Sequence, residues 1–177
     1  MRVISGKYKG KKIDGFDING TRPTMDRVKE SLFGIIQNNV KGSVCLDLFA
    51  GSGSLGLEAL SNGALSCYFV ENGSHIYKIL EKNLSGISDC HLIKKDYKLA
   101  LNDFKNCGIK FNIIFLDPPY KMNLINDILN YVYINDLLSE NGIIVCEYEG
   151  ENVYSDCFEL YKEKKYGNKN INIYKKL

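Results

Sequence analysis

The chain has few of the residues that small folds use as staples. Its 177 residues include no tryptophan, two histidines and three prolines. Six cysteines, at positions 45, 67, 90, 107, 146 and 157, are scattered without a C-x-x-C pair. With only His75 and His91 beside them, their spacing encodes neither a disulfide framework nor a zinc site. Cys45, Cys67 and Cys146 fall inside apolar runs, where cysteine behaves as a small hydrophobe. No apolar run approaches membrane-spanning length, and the N-terminus MRVISGKYKGKK lacks the apolar core of a signal peptide. The expectation is a reduced, cytoplasmic compartment. A strong net charge is missing too: the formal value is +2, with 45% hydrophobic and 25% charged residues. That balance excludes a disordered chain and suits one domain with a sizeable core.

Charge distribution says more than the sum. Residues 1–12 hold Arg2, Lys7, Lys9, Lys11 and Lys12 with no acid. The last twenty residues hold Lys162, Lys164, Lys165, Lys169, Lys175 and Lys176 against Glu159 and Glu163. Basic ends on a near-neutral middle suit an anionic partner such as nucleic acid, although solvated surface lysines give the same pattern.

Residues 2–18 combine strand-like pieces with Gly6, Gly10 and Gly15 and read as a small hairpin ended by TRPT (21–24). Residues 27–37 carry Val28, Leu32 and Ile35 at helical spacing, with Ile36 beside them. Strands and helices then alternate. The expected strands are 43–49, 67–71, 91–96, 111–116 and 142–148, with Ser74 capping a helix to Leu84 and an amphipathic stretch over 122–138. Segments around 157–163 and 170–175 read as a closing antiparallel hairpin. This alternation predicts a parallel sheet covered on both faces, with ligands bound beyond the carboxyl ends of its strands.

The unusual residues sit at those ends. DLFAGSGSLG (47–56) contains Gly51-x-Gly53-x-x-Gly56, and Glu71 follows Gly51 by twenty residues, where an acid can accept both hydroxyls of a ribose. Nicotinamide and S-adenosylmethionine (SAM) sites both fit this much. Asp47, inside the first strand, favours SAM, because it offers a carboxylate to a methionine ammonium group that a nicotinamide lacks. Asp96 ends the third expected strand, where it could accept from an adenine amine.

The fourth strand runs into D-P-P-Y (117–120), using two of the three prolines. An exocyclic base amine is a poor nucleophile because its lone pair is delocalised into the ring. The Asp117 carboxylate and the Pro118 carbonyl could hold its two hydrogens and aim the lone pair, while the prolines fix φ and remove competing donors. Tyr120 offers a face for the base, a stack worth about 1–3 kcal/mol. Asp-Pro-Pro alone is equally a strand terminator; the acids and glycines around it favour chemistry.

RVISGKYKGKKI (2–13), RPTMDRVKESLF (22–33), LDLFAGSGSLGLEAL (46–60), FVE (69–71), FLDPPY (115–120) and YGNKNINIY (166–174) together resemble the bacterial 16S rRNA guanine-N2 methyltransferase family, over nearly the whole chain and in order. The resemblance implies a Rossmann-like SAM-dependent α/β fold. Its sheet has seven mostly parallel strands, a C-terminal antiparallel hairpin and an N-terminal hairpin extension. It implies an RNA-contacting extension over 1–24 and a methyltransferase domain over 25–177. By match, Asp117, Pro118 and Tyr120 hold the guanine. Asp47, Phe49, Gly51, Gly53, Glu71, Asn72, Asp96, Tyr97 and Thr24 are expected at the cofactor, and Arg2, Lys7, Lys9, Lys11, Arg22 and Lys121 at the RNA. The partner implied is 16S rRNA in the small subunit or its assembly intermediate, for a monomeric enzyme with no membrane association. After Glu71 the chain has Asn72 and Gly73 where the family often has a second acid, so contacts of that acid do not carry over. A DNA adenine-N6 or cytosine-N4 methyltransferase stays open, since D-P-P-Y suits those amines, but little length is left for a target-recognition domain. A non-catalytic rRNA-binding assembly protein on the same fold also stays open, and a nicotinamide oxidoreductase is a more distant alternative.

Overall fold

The computed structural model describes residues 1–15, 23–119, 124–150 and 153–176, with side chains of the first helix from residue 26. Helix α1 (Pro23–Val40) leads into β1 (Val44–Asp47), α2 (Ser54–Ser61), β2 (Ser66–Val70), α3 (Ser74–Leu84), β3 (Cys90–Ile93) and α4 (Tyr97–Asn106). β4 (Phe111–Leu116), α5 (Ile125–Ile134), β5 (Leu138–Tyr148), β6 (Phe158–Tyr166) and β7 (Lys169–Lys176) follow. The strands form one sheet in the order β3-β2-β1-β4-β5-β7-β6. β1 to β5 pair in parallel, and β7 runs antiparallel to both β5 and β6. The order reverses at β1, which pairs with both β2 and β4 and so sets the crevice where ligands bind in such sheets.

Side chains alternate along a strand, so each strand feeds two cores. Cys45, Phe69, Ile113, Phe115, Val145, Ile171 and Ile173 meet α1, α2 and α3 on one face. Leu46, Ile114, Leu116, Ile144, Cys146 and Tyr174 meet α4 and α5 on the other. The stripe expected on α1 is buried at Val28 and Leu32, but Ile35 is only partly buried and its neighbour Ile36 enters the core instead.

Several boundaries differ from the sequence reading. β5 begins at Leu138, four residues early, and its register with β4 shifts between Phe111 and Ile113. The amphipathic stretch is helical only over Ile125–Ile134. Ser74 is not a cap. Gly73 takes that position, the helix has no side-chain cap, and the Gly73 N–H donates to Glu71 Oε1 at 2.7 Å. Asp96 does not end a strand either. β3 stops at Ile93, and Asp96 is the N-cap of α4, accepting from the Lys98 N–H at 2.9 Å. An aspartate satisfies an orphan helix donor better in this position than it could extend a ladder.

The N-terminal hairpin forms through an Arg2–Lys12 bridge and the Val3 N–H donating to Lys11 O at 3.0 Å. Val3 and Ile13 enter the same core as α1 and α2, so the segment packs into the sheet domain. A fully buried carboxylate holds it. Glu58 of α2 accepts the N–H groups of Ile4 and Ser5 at 2.9 Å each. It also pairs with Lys29 of α1 at 3.1 Å. Lys29 in turn donates to Arg2 O at 2.7 Å and to Ser54 Oγ at 3.1 Å. Three segments converge on one ion pair. Removing one member strands a buried charge, which typically costs about 3–5 kcal/mol. Glu58→Ala is expected to lower unfolding stability by that amount in urea titration, and an unchanged midpoint would show that the hairpin docks without the pair.

Candidate active site

Register brings the strand-end acids together. Asp47 pairs with Phe69 and Phe115, and Phe115 with Val145, so these residues share the α1–α3 face. Two residues further on, the same alternation puts Glu71, Asp117 and Glu147 on that face at the carboxyl edge. Glu147 lies opposite Ile171 of β7, and Lys169 is two residues away on the same side of the sheet.

The glycine turn is shaped by close packing. Gly53 has φ +81°, a left-handed conformation at the N-cap of α2. A Cβ on Gly56 would lie 2.3 Å from the Phe69 ring and 2.7 Å from Cys67 Sγ. The helix therefore rests directly on β2. Asp47 is 2% exposed, and its Oδ2 accepts the Gly56 N–H at 3.0 Å. It lies beneath the turn and braces it. Burial raises its carboxyl from 3.8 to about 7, the Gly56 N–H opposing the rise and the Glu71 carboxylate adding to it. Glu71 spans the crevice: Oε2 accepts from the Gly51 N–H at 3.2 Å and Oε1 from Gly73. Each oxygen keeps acceptor capacity for a ligand hydroxyl. Asn72 is exposed beside it. The rings of Phe49 and Tyr97, each expected at the cofactor, lie with centroids 5.2 Å apart. Asp96 keeps one oxygen clear of its cap.

Asp117 is half-buried, followed by buried Pro118 and exposed Pro119. Burial, then Glu147, hold its carboxyl well above the usual carboxylate range; Asp47 and Glu149 push the same way and Lys169 opposes them. Tyr120, Lys121 and Arg22 lie outside the described residues, as does the side chain of Thr24. The basic hairpin residues do not act at one place. Arg2 is at the glycine-turn end, facing Asp26 at 3.8 Å. Lys7 donates its N–H to Ser61 O at the other end of α2 and places its ammonium over Tyr8. Lys9 and Arg2 line a groove with Arg27, and Lys11 is half-buried.

Sequence reasoning passed over Glu147 and Lys169, which form an ion pair beside Asp117. The signal for Glu147 was present, an acid ending GIIVCEY as other acids end their strands. Lys169 had none until β7 was placed beside β5.

A family model described as conserved hypothetical protein 95 matches residues 1–175. The chain belongs to that family. Relatives include YlbH of Bacillus subtilis, 38% identical over 99% of both chains. Ribosomal RNA small subunit methyltransferase D of Escherichia coli is 35% identical, over 86% of this chain and 76% of its own length. The solved structure of yhhF from Escherichia coli superposes with a TM-score of 0.86 at 32% identity, covering 99% and 97% of the two chains. At 14% identity, over 88% of this chain and 50% of its own, SMU.776 in complex with S-adenosylhomocysteine shares the fold with a TM-score of 0.71. The members of this family thus have a Rossmann-like methyltransferase fold. The donor set here suits SAM: a packed glycine turn, two aromatic rings and a half-buried Glu71 between the two loops.

Because Asp47 titrates near 7 in the folded chain and near 3.8 when unfolded, the folded state binds the extra proton between those values. Its ionisation therefore opposes folding, and this loss is complete above about pH 7. Asp47→Asn is expected to gain stability relative to the parent as pH rises from 5 to 8, read from urea midpoints. A gap that does not change with pH would refute the assignment.

Proposed function

We propose that this chain transfers a methyl group from SAM to the exocyclic N2 of a guanine in 16S rRNA of the small ribosomal subunit, acting as a cytoplasmic monomer. The observation that carries the reading is the placement of Asp117 on the same face and edge as Asp47 and Glu71, immediately ahead of Pro118. When bound, SAM supplies a methyl group already activated on a sulfonium. The protein's task is then orientation and electrostatics. The Asp117 carboxylate accepts one amine hydrogen, the Pro118 carbonyl accepts the other, and Tyr120 takes the base face. The lone pair is thereby directed at the methyl carbon. As the N–C bond forms and the C–S bond breaks, the nitrogen gains positive charge, which Asp117 stabilises before receiving the surplus proton. Glu71 holds the ribose, Asp96 the adenine amine, and Asp47 the ammonium end with the turn it braces. The target guanine leaves its stack to reach the site. The relative named for small-subunit rRNA supports RNA over DNA, as does the basic N-terminal hairpin docked beside the crevice.

Incubation with labelled SAM and, separately, small subunits, naked 16S rRNA and duplex DNA should label rRNA at guanine N2. Label in DNA alone would overturn the proposal. Asp117→Ala should abolish transfer, a loss of at least about 10²-fold, while SAM affinity stays near that of the parent. Loss of SAM binding with turnover retained would reverse the roles.

Replacing Lys7, Lys9, Lys11 and Lys12 together is expected to weaken RNA binding and flatten its dependence on salt. An unchanged slope in a binding titration from low to high salt would reduce the hairpin to a structural element.

A further inference from the structure

The D-P-P-Y turn places Asp117 among like charges. Glu147 reaches it from β5, Asp47 from β1, and Glu149 from the turn after β5. On α1, the helix packed over this part of the sheet through Phe33 and Phe115, the inward-facing cation Lys29 is committed to Glu58. An acid gathered with acids tends to keep its proton, and a protonated carboxyl accepts an amine hydrogen more weakly and cannot take up the surplus proton. A cation is needed where it can act on Asp117 without blocking the base.

Lys169 meets that need through the sheet itself. It opens β7, the strand that pairs with β5, and Tyr148 opposite Asn170 sets Glu149 level with Lys169. Its side chain is one-quarter exposed and pairs with Glu147, whose side chain is 12% exposed. Strand spacing is about 4.8 Å, so β7 lies two strands from β4. Its ion pair with Glu147 anchors the ammonium to β5, the strand next to β4. Partial burial leaves its field less screened than that of a surface lysine.

We propose that Lys169 is a positioning residue for methyl transfer: held by Glu147, its ammonium offsets the acids gathered around Asp117 and favours the carboxylate that accepts the guanine amine hydrogen. The proposal rests on the methyltransferase reading above. It also assigns Glu147 a double role, since it holds Lys169 in place and, left without it, would push Asp117 toward protonation. The charge matters more than the ammonium's shape, so arginine should replace lysine here.

Single-turnover methylation of small subunits is followed against pH for the parent, Lys169→Arg, Lys169→Met and Lys169→Met combined with Glu147→Gln. Lys169→Met should lose about tenfold or more at the acid end and approach the parent rate in alkali, its acid limb displaced to higher pH. Lys169→Arg should keep the parent limb, and the double variant should recover part of the displacement. A Lys169→Met limb that coincides with that of the parent overturns the proposal whatever the absolute rate, as does an arginine variant that behaves like methionine. Carboxyl carbon NMR of Asp117, assigned by its absence in Asp117→Asn, reads the same ionisation in the protein without RNA. Its titration should move to higher pH in Lys169→Met, and an unmoved titration overturns the proposal independently. If the parent methylates none of the RNA substrates, the methyltransferase reading fails while this titration still decides whether Lys169 governs Asp117.

Discussion

Everything at the carboxyl edge follows from the period of two along a strand. Once β1, β2, β4 and β5 are paired in parallel and in register, the residues level with Asp47 are fixed to one face. The next inward positions on that face are Glu71, Asp117 and Glu147. A slip of one residue in any strand would send its acid to the α4–α5 side and its core residues to the wrong layer. The apolar cores therefore enforce the arrangement of the site. Phe69, Phe115 and Val145 are essentially buried and cannot turn outward without losing both packing and ladder.

That arrangement has an electrostatic cost which the fold meets in different ways. Glu58 is fully buried yet surrounded by donors from the hairpin and by Lys29, so its charge is matched inside the protein. Glu71 receives two backbone N–H groups from the loops it joins. Asp47 has the Gly56 N–H but is otherwise desolvated, and its carboxyl is pushed up to about 7. Asp117 has the least internal compensation, with Lys169 set against several acids. Glu58 and Glu71 are satisfied by protein donors. Asp47 and Asp117 are left short of compensation.

The layered fold, the strand order of element types and the glycine turn were legible because they are written in local patterns: apolar runs, helical spacing and punctuating glycines. The acids at 47, 71 and 117 were legible for the same reason, since each interrupts or ends an apolar run. Asp96 was misplaced because a capping residue and a strand end look alike in sequence, and only its hydrogen bond with the Lys98 N–H separates them. Ser74 was one residue off, because the cap is a glycine with no side chain to signal it. The pairings Lys29–Glu58 and Glu147–Lys169 were out of reach, since each joins residues more than twenty positions apart. Lys29 lay within the quoted RPTMDRVKESLF stretch, yet its role became visible only when Arg2, Ser54 and Glu58 converged on its ammonium.

A deficit of positive charge around Asp47 and Asp117 is what a cationic ligand would relieve. SAM carries an ammonium and a sulfonium, and methyl transfer moves the sulfonium charge onto the amine nitrogen. In the proposed reaction, Asp117 then faces that charge directly until it takes the surplus proton. Its raised proton affinity suits a group that must first accept an amine hydrogen bond and then take the proton that the methylated nitrogen sheds. A site compensated fully by protein cations would hold Asp117 so firmly anionic that it could not take that proton. Partial compensation by Lys169 leaves Asp117 responsive, and this gives a physical reason for the crevice acids to be less well satisfied than Glu58.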